Sequence, residues 1–117
     1  MFTEDLYSKV LIAPVKSDAN ELFVVSGCAS ATFVNRHLKD LRGDSTDIIV
    51  HLIIGMKSNR QEDIPFKRLI KEYPDNFFGH YYKGLGKVHS NVYYWEKNGQ
   101  FFDAYTGSAN YSSSRKS

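Results

Sequence analysis

Runs of apolar residues separated by polar and glycine- or proline-bearing stretches predict most of the elements in this 117-residue chain. Glu21 to Gly27, ELFVVSG, is a β-branched and aromatic run closed by glycine, the pattern of a buried strand. In the following SATFVNRHLKDLRG, residues Phe33, Val34, Leu38 and Leu41 form one apolar stripe. Ser30 is the expected N-cap of that helix and Gly43 its expected stop. Asp47 to Gly55, DIIVHLIIG, is almost continuously apolar, which predicts a second strand covered on both faces. DIPFKRLIKEYPD reads as a short helix with Pro65 in its first turn and Pro74 ending it. NFFGHYYKG predicts a third strand, weakened by Gly79. KVHSNVYYWEK and QFFDAYTGSANYS supply two more. The order β-α-β-α-β-β-β fits a layered α/β fold with a mixed sheet.

Asn98-Gly99, between two strand-like runs, predicts a two-residue type I′ hairpin turn. If Lys97 opposes Gln100, then Asn91 faces Thr106 and His89 faces Ser108. Opposed residues project to one side of an antiparallel pair, as do residues two apart on a strand. The expected result is a polar cluster of His89, Asn91, Thr106, Ser108 and Asn110. A bulge near Gly107 would shift this pairing by one residue. Asp103 has the opposite parity to Ser108 and is expected to stay out of the cluster. Tyr93 and Trp95 share the His89 side, where they either pack in the core or line a groove.

Composition narrows the setting. The chain is 42% hydrophobic and 24% charged, with a net charge of +2, so it reads as one soluble domain that permits nucleic-acid binding without requiring it. No apolar run reaches the ~20 residues of a membrane span. MFTEDLYSKV has acidic residues where a secretory leader would be basic and then apolar. Cys28 is the single cysteine, which excludes an internal disulfide and a thiolate metal cluster. A cytoplasmic location is the expectation.

A histidine beside hydroxyl and amide groups, with no paired carboxylates or His/Cys metal spacing, suits a nucleophile or acid–base group. Its neighbours would hold the oxygens of a phosphoryl transition state. The plainer alternative is a hairpin whose polar residues bond one another at a sheet end. His37 falls on a helix and His51 in an apolar strand, where a satisfied core histidine is the commoner outcome. His80 could approach the cluster. Lys83 and Lys87 read as surface lysines, and GLGKVH is not a phosphate loop because no helix follows it.

His89 together with Gly107-Ser108-Ala109-Asn110 resembles the His-x-Lys and Gly-Ser-x-Asn signature of the phospholipase D superfamily. The phrases VHSNVYYWEKNG, AYTGSANYS and ELFVVSGCASATFV are most similar to its NgoFVII-type restriction-endonuclease branch. The resemblance runs from about the first strand to the end of the chain. It implies a phospholipase D-like layered sandwich, a mixed central sheet flanked by helices. It also implies a metal-independent phosphodiesterase that cleaves DNA, without a cofactor, through a phosphohistidine on His89. Ser108, Asn110 and the motif lysine would hold the non-bridging oxygens. Asn91 stands where that lysine belongs and Glu96 roughly where many members have aspartate. The lost charge predicts impaired cleavage.

Because the chain carries one such histidine motif, the resemblance implies a homodimer with a composite site on its two-fold axis. It leaves open a separate methyltransferase or helicase partner, and no membrane partner is expected. Residues 1–117 are expected to be a single nuclease domain truncated at its C-terminus, with the recognition domain absent. The alternatives are a phospholipid or RNA phosphodiesterase of the same superfamily, or a catalytically dead DNA-binding or dimerisation module.

Overall fold

The structure, a computed structural model, describes residues 2–44, 47–55, 60–82 and 91–112. A five-stranded sheet in the order β3-β2-β1-β4-β5 forms its backbone. The strands are β1 (Glu21–Ser26), β2 (Ile49–Ile54), β3 (Phe77–Tyr81), β4 (Asn91–Lys97) and β5 (Gln100–Gly107). β1, β2 and β3 run parallel, whereas β4 and β5 are antiparallel to their neighbours. The mixed α/β layering read from the sequence is therefore correct.

Each parallel step is made by a helix, α3 (Ala31–Asp44) after β1 and α4 (Arg60–Glu72) after β2. The Ser30 hydroxyl caps α3 by accepting the Phe33 N–H at 3.1 Å, as its position before the apolar stripe predicts. Gly43 does not stop that helix, which runs on to Asp44. α4 begins earlier than expected, so Pro65 lies inside it.

One face of the sheet carries the core. Leu22 and Val24 of β1, Val50, Leu52 and Ile54 of β2, Phe77 of β3 and Tyr93 and Trp95 of β4 are buried there with Phe33, Val34, Leu38 and Leu41 of α3. Tyr93 and Trp95 are thus core residues rather than the lining of a groove. The expectation that β2 is covered on both faces fails. Its burial alternates, and Ile53 is 40% exposed. On that second face the rings of Phe78, His51, Phe23, Tyr94 and Phe101 form a row, with neighbouring centroids 4.5 to 6.0 Å apart.

The N-terminal segment adds helix that the strand-and-helix pattern did not predict. α1 (Glu4–Tyr7) passes through a π-helical stretch (Ser8–Ile12) into α2 (Ala13–Lys16). Pro14 has no N–H, so it cannot bond the carbonyl of Val10 as an α-helix would require. The Trp95 indole N–H takes that carbonyl instead, at 2.7 Å. Arg36 of α3 binds both Glu4 carboxylate oxygens and lies over the Tyr7 ring, whose hydroxyl donates to Asp40 at 2.6 Å. These contacts fasten the segment onto α3.

Candidate functional site

The β4–β5 hairpin turns at Asn98-Gly99 with positive φ at both residues, 52° and 81°, as a type I′ turn demands. Lys97 opposes Gln100 as predicted. The register then shifts between Trp95 and Glu96, because Phe102 is an extra residue on β5. The bulge thus sits near the turn and not near Gly107. From there to the end of the pair Asn91 opposes Gly107 and Val92 opposes Thr106. The polar cluster expected from an unbroken register is corrected accordingly. Thr106 lies on the other side of the sheet from Asn91. Glu96 is also out of phase with Asn91, and it pairs across to Glu21 on β1. Asp103 shares the side of Trp95 and Tyr105.

Asn91 lies at the start of β4 and is 2% exposed. Its side-chain oxygen accepts the Gly27 N–H at 3.0 Å and faces the Ser26 hydroxyl at 3.1 Å. Its amide nitrogen donates to the Gly107 carbonyl at 3.2 Å. The carboxamide thereby ties the end of β1 to the end of β5.

Beyond Gly107 the chain leaves the sheet but keeps an alternation. Gly107 is held by Asn91. Ala109 is buried, and its carbonyl accepts from the Tyr93 hydroxyl at 2.6 Å. Tyr111 is fully buried; its N–H donates to the Ser26 oxygen at 2.9 Å and its carbonyl accepts from Ser30. Between these anchors Ser108 is exposed and Asn110 half-buried. Among the described residues neither side chain has a hydrogen-bond partner. Gly107 itself has little room for a side chain, since a Cβ there would come within 2.7 Å of the Tyr105 hydroxyl.

The histidines fall in separate places. His37 is fully buried between the Tyr111 hydroxyl at 2.5 Å and the Leu11 carbonyl at 2.9 Å. A carbonyl can only accept, so Nε2 carries the proton toward Leu11 and Nδ1 accepts from Tyr111. Burial lowers the His37 pKa to about 4 and drives the Tyr111 phenol well above its usual range. His51 pairs with Glu21 on the second face of the sheet at 2.5 Å. His80 lies on β3, the edge opposite β5. It is paired with Ile53 and so lies on the second face of the sheet, away from the face that carries Asn91. His89 lies outside the described residues, as do Lys83 and Lys87.

Sequence reasoning missed Ser26, Tyr93 and Tyr111 as the groups that hold the motif loop. The one available signal was that Ser26-Gly27 closes β1, where a chain turning from strand to helix needs hydrogen-bonding groups.

A mixed α/β layer that displays Ser108 and Asn110 from a Gly-Ser-x-Asn loop defines a phospholipase D-type domain. Residues 4–117 match the family described as NgoFVII restriction endonuclease N-terminal PLD domain, and the chain belongs to it. That places it in the nuclease class of phosphodiesterases. A search of curated proteins found no match. Among the described residues no helix is long and apolar enough to cross a membrane.

Proposed function

We propose that this domain cleaves DNA without a metal through a covalent phosphohistidine, in a homodimer whose active site is shared by two copies. An imidazole nitrogen of His89 attacks phosphorus, and the bond to the leaving oxygen breaks. A second histidine gives that oxygen its proton. Water then attacks phosphorus while the second histidine takes its proton, and the bond from phosphorus to the His89 nitrogen breaks, so both histidines return to their starting forms. Ser108 and Asn110 supply neutral donors to the non-bridging oxygens, where donors already in place lower the barrier without reorganising. The observation that carries this reading is the pair Ser108 and Asn110, displayed without a side-chain partner among the described residues on a loop anchored on both sides.

The positions of the described histidines support a second copy. His37 is sealed in the core, His51 is engaged on the other face and His80 is at the far edge. His37 meets only the Tyr111 hydroxyl at the buried end of the loop and is sealed from solvent, so this reading takes the proton donor from His89 of the other copy.

Asn91 favours a second reading, a DNA-binding module that does not cleave. Its carboxamide is neutral, buried and already bonded to Ser26, Gly27 and Gly107, so it offers a phosphate no charge. A nuclease assay on duplex DNA in EDTA separates the two, using the chain with Asn91 and with Asn91→Lys. Cleavage in EDTA that is lost in His89→Ala supports the first reading. DNA binding without cleavage in either form supports the second. Mixing His89→Ala with a Ser108→Ala chain tests sharing: restored cleavage is expected from a composite site, and none from two independent sites.

A further inference from the structure

We infer that Ser26 is a positioning residue for the anion-facing loop, acting through both ends of Gly107–Tyr111 while touching no substrate itself. This rests on the reading of Ser108 and Asn110 as the groups that meet phosphate oxygens. Ser26 ends β1 on the helix side of the sheet and is fully buried. Its oxygen accepts the Tyr111 N–H at 2.9 Å, which fixes the exit of the loop. Its hydroxyl faces the Cys28 carbonyl at 2.5 Å and the Asn91 side-chain oxygen at 3.1 Å. Asn91 in turn donates to Gly107 at the loop entrance. One hydroxyl therefore touches the strand-to-helix turn, the entrance and the exit together.

The chemistry at this position is specific. A hydroxyl is the smallest side-chain group that donates and accepts at once. Alanine would leave the buried Tyr111 N–H without its acceptor and remove the hydroxyl that faces the Cys28 carbonyl and the Asn91 oxygen. The remaining anchors are Tyr93 on the Ala109 carbonyl, the Ser30 N–H on the Tyr111 carbonyl and His37 on the Tyr111 ring. None of them takes up the Tyr111 backbone N–H. Loss of Ser26 should therefore leave the fold intact and let Ser108 and Asn110 drift. A drift of about 1 Å at a reacting group costs on the order of 10² in rate.

The test uses the whole chain as wild type, Ser26→Ala and Ser26→Cys, with inorganic phosphate as probe. Cysteine keeps the shape but is a weak acceptor, so it covers the case in which alanine fails to fold. Amide chemical shifts of Leu52 and Val50 report the core, and those of Ser108 and Asn110 report the loop. In wild type, phosphate is expected to shift the Ser108 and Asn110 signals. In the variants the core signals stay, Tyr111 N–H exchange quickens, and phosphate affinity falls by about tenfold, in keeping with one lost buried hydrogen bond. Cleavage in EDTA should lose kcat with KM nearly unchanged. Equal phosphate affinity in all three forms overturns the inference, and so does a wild-type loop that ignores phosphate. A wild type that binds phosphate through a Ser26-dependent loop yet never cleaves DNA overturns the nuclease reading and leaves Ser26 as the positioning residue.

Discussion

Replacing Asn91 by alanine removes the tie between three backbone segments, and the cost can be worked out group by group. The side chain is 2% exposed. Its loss strands the Gly27 N–H, which is buried and has the Asn91 oxygen as its acceptor at 3.0 Å. A buried donor left without a partner costs about 1–3 kcal/mol. The Ser26 hydroxyl retains the Cys28 carbonyl at 2.5 Å, so little is lost there. Gly107 is exposed, so water replaces the donor to its carbonyl. Together with the small void left behind, the expected loss is about 2–3 kcal/mol, a large share of the ~5–15 kcal/mol that holds a domain folded. The melting temperature should fall by roughly 10 °C, given ~3–6 °C per kcal/mol at this chain length. Urea unfolding followed by circular dichroism measures the change in midpoint, and an unaltered slope shows that the two-state comparison holds. Asn110→Ala is the control, since that side chain has no hydrogen-bond partner among the described residues. It should lie within ~0.5 kcal/mol of wild type. A loss below ~0.5 kcal/mol for Asn91→Ala, within the range of ordinary surface changes, would refute the claim that Asn91 is a buried tie.

Further outcomes follow from the same contacts. Trp95→Phe keeps most of the ring but leaves the Val10 carbonyl, already without its helical partner because of Pro14, lacking a donor; a loss of about 1–2 kcal/mol is expected in a thermal melt. His37 takes up a proton more readily unfolded, near pH 6.5, than folded, near pH 4. Stability from this group is complete above pH 6.5 and falls as pH drops toward 4, by about 3 kcal/mol in all. His37→Gln should flatten that part of the urea-midpoint profile, and an unchanged profile would contradict the neutral buried histidine. Asn91→Lys should raise cleavage in EDTA by about 10²–10³ if a charge at this position meets the phosphate, while lowering the melting temperature because the Gly27 N–H again loses its acceptor.

The element order and the hairpin turn were legible because they rest on local chemistry. Asn-Gly tolerates positive φ, and the strands are bounded by residues that break them. The register was not legible. Phe101 and Phe102 are both apolar, so a period-two reading of QFFDAYT accepts either phase, and only the pairing with β4 and the packing beside the N-terminal helices place the extra residue. The N-terminal helix escaped notice because Phe2, Tyr7, Leu11 and Val15, all buried, are spaced by four and five residues, which suits a helix widened around Pro14 more than a regular one. The apolar run of β2 gave its strand but could not tell whether a second layer lies against it. The motif letters Ser108 and Asn110 were visible in the sequence. The groups that aim them, Ser26, Tyr93 and Tyr111, are ordinary residues whose task depends on meeting across the fold.

Phe102 takes up one residue of β5 outside the ladder, so the phase beyond it differs from the phase at the turn. Were Phe102 paired with Trp95 in an unbroken ladder, Asn91 would oppose Thr106 instead of Gly107, and the Gly-Ser-Ala-Asn segment would turn over by half a pleat relative to Asn91 and Tyr93. The anchoring carbonyls would then face outward and Ser108 would be driven against the core. One residue inserted between Phe102 and Gly107 would do the same with every motif letter still in place, whereas deleting Phe102 itself would keep Gly107 opposite Asn91. The number of residues between the bulge and the motif is thus a second signature, written in spacing and not in letters.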